Sequence, residues 1–260
     1  MTYADIAAMN FSSLKHMATS PLLYRWRVDH PQPPKAAYTI GSAIHCAILE
    51  PALFASRYAV FNGVRRGKAW DAWQEEHPGV ESLKPDEFER VEQSALAARS
   101  HRCVAPLLGG GRFELAVEWV DSRTGLACKG RVDYVSPTRL IDLKSAREID
   151  GRNFRRAVAQ YLYHGQLAWY YDGCIAAGVL SPSAGMPLLI AQQNVEPYDV
   201  GVYRMTADDL SKGRQLYWSL LDQFTACTAA NMWPGAVPDV VDLMVPDWAP
   251  GSYPDATEDF

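Results

Sequence analysis

Cysteine is scarce in this chain and poorly placed for cross-linking: five residues, at 46, 103, 128, 174 and 227, with no C-x-x-C pair. The odd number and wide spacing exclude a disulfide framework, a zinc ribbon and a cysteine-held cluster, and point to a reducing compartment. No apolar run approaches the roughly 20 residues that span a bilayer, so no membrane is expected as a partner. The start, MTYADIAAMNFSS, lacks the basic-then-apolar order of a signal peptide, and a cytoplasmic location is expected. There is no glycine-rich phosphate loop and no internal repeat. Lys and Arg are missing from residues 231–260, which instead carry Asp239, Asp242, Asp247, Asp255, Glu258 and Asp259. Taking these six from the 30 acidic residues leaves 24 against 25 basic ones, so the net charge of −5 belongs to the tail. The charge balance therefore does not exclude nucleic acid. Basic residues cluster at Arg25 and Arg27, at Arg65, Arg66 and Lys68, and at Arg152, Arg155 and Arg156. Such clusters are more often solvated surface than DNA contacts.

What is present is a chain of 260 residues, 48% of them hydrophobic, which is ample for one large core. Residues 11–29 read as a short helix, a Ser-Pro break and a second helix with Leu22, Leu23 and Trp26 for burial. Gly41 to Leu49 reads as a short helix stopped by Pro51, with Ile44, Ala47 and Ile48 as its apolar stripe. His45 shares another face with Gly41; alone, such a histidine is more often a hydrogen-bonded structural residue than a ligand. A loop and helix fill 62–84. Pro85 opens a helix to about residue 104, with Phe88, Val91, Leu96 and Val104 for burial. In the strand FELAVEWV, Phe113, Leu115, Val117 and Trp119 alternate with Glu114, Ala116 and Glu118. A helix rich in aromatics runs from Phe154 to Tyr171 and puts Gln166 and Tyr170 on one face. A hairpin turns around Glu196-Pro197-Tyr198, and Thr206 caps a long amphipathic helix to about Asn231. The acidic, proline-rich tail holds Trp233 and Trp248, and packing of the tail is expected.

The stretch Lys129 to Ser145, KGRVDYVSPTRLIDLKS, reads as two strands joined by a turn at Ser136-Pro137-Thr138-Arg139. A two-residue loop at 137–138 and a four-residue loop at 136–139 give the same register, with Val135 opposite Leu140. Asp133 then faces Asp142 and Arg131 faces Lys144. Val132, Tyr134, Ile141 and Leu143 form an apolar opposite face. Directly paired side chains lie roughly 4.5–5.5 Å apart at Cβ, where like charges repel. A cation between the two carboxylates removes the repulsion, and Mg²⁺ takes such oxygen ligands. Lys144 projects from the same face as Asp142, roughly 6–7 Å along the strand, where a lysine can orient an attacking water. A solvated polar face on a surface hairpin accounts for the same pattern, and a wet outer strand accounts for Glu114 and Glu118.

In combination, GSAIHCAILEP, CKGRVD, IDLK and QLAWY resemble the motifs of the PD-(D/E)XK nuclease superfamily in its RecB-like branch. The resemblance is to RecE-like, phage-type exonucleases and extends from NFSSLKHMATSP to VPDWA. It implies an α/β, restriction-endonuclease-like core with a central mixed sheet flanked by helices. It also implies one nuclease domain over 1–230: N-terminal helices in 1–60, a catalytic core at about 112–205 and a long helix at about 206–231, followed by the tail at 231–260. His45, Asp133, Asp142 and the backbone carbonyl of Leu143 would hold the metal, with Glu114 available to a second one. Lys144 would be the catalytic lysine, and Gln166 and Tyr170 the Q-x-x-x-Y motif that braces the active site and the DNA. Val132 departs from the family's proline, and Asp142 stands where many relatives carry glutamate.

The activity implied is Mg²⁺-dependent degradation of one strand of linear double-stranded DNA from its 5′ end, with Mn²⁺ as a substitute and one or two ions per subunit. It would release 5′-mononucleotides and leave 3′ overhangs for a RecT-like annealing protein. The implied assembly is a ring-shaped trimer or tetramer of a bacterial or phage-encoded protein. Arg25, Arg65, Arg66 and Lys68 are candidate phosphate contacts. An endonuclease or single-strand nuclease on the same fold, and an inactive DNA-binding assembly protein, remain as alternatives.

Overall fold

The structure, a computed structural model, describes Tyr3, residues 6–31 and residues 36–245, with residues 36–38 by their backbone alone. The expectations for Trp248, Asp247, Asp255, Glu258 and Asp259 fall outside the described residues.

Side-chain caps start the first two helices. Asn10 accepts from the Ser13 N–H to open α1 (Phe11–Leu14), and Ser20 accepts from the Leu23 N–H to open α2 (Pro21–Asp29). A 3-10 turn, Lys15–Ala18, lies between them. The face of α2 differs from the expected one. Tyr24 is buried, whereas Leu22 and Trp26 are 53% and 44% exposed. Tyr24 meets Phe224 edge-on and stacks on Trp233.

Helix α3 (Ala36–Leu49) is longer than its sequence suggests, and Gly41 sits inside it. A Cβ on Gly41 would meet Ser145 Oγ at 3.4 Å, so the bare residue marks where α3 comes close to the sheet. Helix α4 (Pro51–Arg57) follows. β1 (Tyr58–Val60) and β2 (Glu81–Leu83) then pair in parallel as a separate two-stranded sheet around α5 (Lys68–Glu76). Helix α6 (Pro85–Ser100) ends earlier than expected, and α7 (Val104–Leu107) restarts after a break. α6 buries Val91, Ser94, Ala95 and Ala98, which leaves Leu96 62% exposed on the opposite face.

The main sheet has five strands in chain order: β3 (Arg112–Val120), β4 (Ala127–Ser136), β5 (Arg139–Ala146), β6 (Leu188–Gln193) and β7 (Val200–Arg204). Only β5 and β6 run parallel. Their link holds α8 (Gly151–Gln160) and α9 (Tyr163–Ala176). The single helix expected from 154 to 171 breaks at Leu162, whose φ of 59° is left-handed. The 187–205 segment forms the expected hairpin, β6–β7. Thr206 caps α10 (Ala207–Ala230) by accepting from the Asp209 N–H.

Helices cover both sheet faces. Phe11, Leu14, Phe154, Leu167, Trp169, Tyr217 and Leu221 pack on the side of Leu140 and Leu189. Ile44, Ile48, Val91 and Ala95 pack on the side of Ile141, Leu143 and Ile190. The result is an α/β architecture with a central mixed sheet between helical layers. In the tail, Trp233 stacks on Tyr24 at 5.8 Å. Val240 and Leu243 instead stand 101% and 92% exposed, so the expected packing stops near Trp233.

Candidate active site

The turn at Pro137-Thr138 is the two-residue form, since Ser136 pairs with Arg139 and Val135 with Leu140. The β4–β5 ladder ends one pair later, at Tyr134–Ile141. From there the strands diverge, β4 staying with β3 and β5 with β6. Asp133 and Asp142 are therefore not the cross-strand pair expected. The Asp133 carboxylate replaces the missing strand partner, its Oδ2 accepting the Leu143 N–H at 2.7 Å. Arg131 does not face Lys144 either. It lies opposite Ala116 and forms an ion pair with Glu114 at 3.0 Å.

The N-terminal segment occupies the freed edge of β4. Met9 bridges Cys128 in parallel, and the Lys129 ammonium donates to the carbonyls of Tyr3 and Ile6 at 2.8 and 2.7 Å. The fork is thus wedged open by backbone that satisfies the strand's unpaired groups.

Side chains change faces at the fork. Phe113 and Tyr134 pack with the α3–α6 layer, whereas Leu115 and Val132 pack with the α9–α10 layer. Perfect alternation would keep each of these pairs on one side. The slip occurs where Glu114, with a left-handed φ of 46°, lies across from Asp133. It explains why Val132 does not share the buried face of Tyr134, Ile141 and Leu143 as expected. A non-glycine residue in that conformation costs roughly 1–3 kcal/mol and is found preferentially at functional sites.

Helix α3 brings His45 to this place, with Nδ1 3.7 Å from Asp133 Oδ2. One ligand atom from each of His45, Glu114 and Asp133 lies within 4.8 Å of the others. Burial, with help from the Lys144 charge, lowers the His45 pKa to about 4, so the imidazole is neutral and free to ligate. Burial and then the Asp133 charge raise Glu114 to about 7. Asp133 is raised by burial against the pull of Lys144 and the Leu143 N–H.

Asp142 stands apart from that trio. It is 1% exposed and its Oδ2 is 2.6 Å from Lys144 Nζ. The contact is an ion contact off the hydrogen-bonding angle, and Oδ2 has no directed donor. Burial raises Asp142 to about 6 although Lys144 opposes it. Lys144 is itself pulled down by burial, but Asp142 and Asp133 outweigh that and raise it. The ammonium donates to Gln166 Oε1 at 2.9 Å, and the Gln166 amide donates to the Tyr170 hydroxyl at 3.0 Å. Gly130 makes room for this brace, because a Cβ there would meet the Tyr170 ring at 2.8 Å.

The donor set fits a hard divalent cation: a neutral imidazole, two carboxylates within mutual reach, and a buried Asp142 oxygen without a directed donor. Glu114, expected at a second metal, is grouped here with His45 and Asp133. Glu118 is exposed, opposite Lys129.

A family model described as "PDDEXK-like domain of unknown function (DUF3799)" matches residues 10–239. The chain belongs to this family. The PDDEXK-like fold is also seen in a solved structure from Eubacterium rectale described as a "Putative exonuclease". The two share 14% sequence identity and a TM-score of 0.62 over 86% of this chain and 82% of the other. No curated protein matches in sequence. PDDEXK nucleases use divalent metals, and the fork is where this chain brings together three side chains that could hold one.

The basic candidates lie elsewhere. Arg25 pairs with Asp29 at 2.9 Å and sits over the Trp233 ring. Arg65 holds the Ser82 carbonyl and Glu87 at 2.7 and 3.0 Å. Arg66 and Lys68 are exposed near the start of α5. Tyr163, 4.7 Å from Lys144 Nζ across its ring face, escaped sequence reading because aromatic residues in a helix read as core.

Proposed function

We propose that this PDDEXK-like protein is a Mg²⁺-dependent exodeoxyribonuclease of the RecE-like type. It degrades one strand of linear duplex DNA from the 5′ end and leaves 3′ overhangs for single-strand annealing by a RecT-like partner. The observation that carries a phosphodiesterase reading is the buried Asp142–Lys144 contact at 2.6 Å, beside the His45–Glu114–Asp133 trio. A core does not bury a lysine and several carboxylates together for stability, since desolvation rivals their attraction.

His45, Asp133, Asp142 and the Leu143 carbonyl would hold Mg²⁺ or Mn²⁺, and Glu114 would join them or serve a second ion. When bound, the cation supplies Lewis-acid stabilisation of phosphoryl oxygens and of the leaving oxygen. Lys144 orients the attacking water and stabilises charge developing on the phosphate. Gln166 fixes the Lys144 ammonium, and Tyr170 fixes Gln166. The exposed Arg66 and Lys68 are the better candidates for phosphate contacts along the duplex, because Arg25 and Arg65 are already paired. The low net charge accords with a ring in which only the channel is basic.

Linear duplex DNA labelled at either terminus, with Mg²⁺, tests this reading, with a covalently closed circle beside it. Early release of 5′ label as mononucleotide, and an intact circle, is the expected result. Cutting of the circle would replace the exonuclease with an endonuclease on the same fold. Early 3′ release would reverse the polarity.

A further inference from the structure

The turn between α8 and α9 places two tyrosines beside the proposed catalytic lysine. Leu162 holds a left-handed backbone at φ 59° and its carbonyl accepts the Gln166 N–H at 3.1 Å. The turn is therefore tied to the residue that positions Lys144. Its strain reorients the chain so that Tyr161 and Tyr163 lie together, ring centroids 5.6 Å apart and planes 30° apart. Tyr163 is half-buried with Lys144 Nζ 4.7 Å from its ring centre. Tyr161 is 51% exposed. The series Asp142, Lys144, Tyr163, Tyr161 thus leads from the buried carboxylate to solvent through two aromatic faces.

We propose that Tyr161 and Tyr163 form a stacking platform for the nucleobase of the nucleotide whose phosphodiester lies at Lys144. The proposal rests on the phosphodiesterase reading and adds its substrate class: a nucleotide whose base has a free face, at a strand end or in a single strand. A base inside a duplex has both faces covered by its neighbours, whereas a base at a duplex end or in a single strand leaves a face open to the rings. Aromatic stacking is sequence-tolerant because every base has a π face.

The test uses the full chain and DNA whose scissile nucleotide either carries its base or is an abasic tetrahydrofuran. Stacking of one base predicts that the wild type loses roughly 5- to 150-fold in kcat/KM on the abasic substrate. Tyr161→Ala then shows the same loss on normal DNA and no further loss on abasic DNA, while Tyr161→Phe retains the base discrimination. A wild type indifferent to the base, or Tyr161→Ala lowering both rates equally, overturns the platform and leaves the nuclease reading standing. A wild type that cleaves neither substrate overturns both.

Discussion

Lys144 is held on three sides at the residue scale: by Asp142 at 2.6 Å, by Gln166 at 2.9 Å and by the Tyr163 ring at 4.7 Å. Gln166 is the only neutral hydrogen-bond acceptor among these partners, so Gln166→Leu leaves the ammonium charged but loosely aimed. A group that orients a catalytic residue typically accounts for about 10- to 100-fold in activity, and the loss is expected in kcat with KM little changed. Tyr170→Phe removes only the far end of the brace and is expected to cost less. Steady-state kinetics on linear DNA distinguish the two. The shifted pKa values give a second expectation. Glu114 and Asp142 are raised, to about 7 and about 6. They contribute stability to the metal-free protein that is present at low pH and lost as pH rises through those values. His45 is lowered from 6.5 to about 4 and works in the opposite sense, but only below 6.5. Melting in EDTA should therefore fall between about pH 6.5 and 7.5. Mn²⁺ needs the carboxylates unprotonated, so it should raise Tm more at the upper pH. Glu114→Gln should flatten both trends in a thermal-shift series; a Mn²⁺ effect equal at the two pH values would contradict the assignment.

At the scale of elements, the close approach of α9 to β4 positions the brace. A Cβ on Gly130 would lie 2.8 Å from the Tyr170 ring, so Gly130→Ala must displace α9 or the ring. Overpacking of this kind costs about 1–3 kcal/mol, readable by urea unfolding, and it should lower kcat more than the stability loss alone would. The hairpin carrying Asp133 and Asp142 was legible because Pro137-Thr138 makes a tight turn and the apolar positions alternate on both sides of it. Gln166 and Tyr170 were legible because helical spacing puts residues four apart on one face, and they do bond. The slip at Glu114 was not, because a left-handed residue leaves the pattern of neighbouring residue types unchanged. The break at Leu162 was hidden for the same reason. The buried faces of α2 and α6 were misread at Leu22, Trp26 and Leu96, since each helix meets neighbours remote in sequence. Tertiary contact, not propensity, selects the face that is covered.

At the scale of the whole molecule, segments far apart in sequence build the fork. The stretch around Met9 wedges it, α3 delivers His45 from one side of the sheet, and α9 delivers Gln166 and Tyr170 from the other. The mixed sheet matters because β4 and β5 can part only where each keeps another partner, β3 and β6 respectively. That divergence exposes the Leu143 N–H to the Asp133 carboxylate. The central claim is that the fork hydrolyses phosphodiesters with Lys144 in attendance. Nucleotide release from linear duplex DNA tests it directly, comparing wild type with Lys144→Ala in Mg²⁺, in Mn²⁺ and in EDTA, with circular dichroism as the check on folding. The account predicts release by the wild type in either metal, none in EDTA, and a loss of at least about 100-fold in folded Lys144→Ala. A folded wild type that releases nothing in either metal, or a Lys144→Ala variant as active as the wild type, would contradict it.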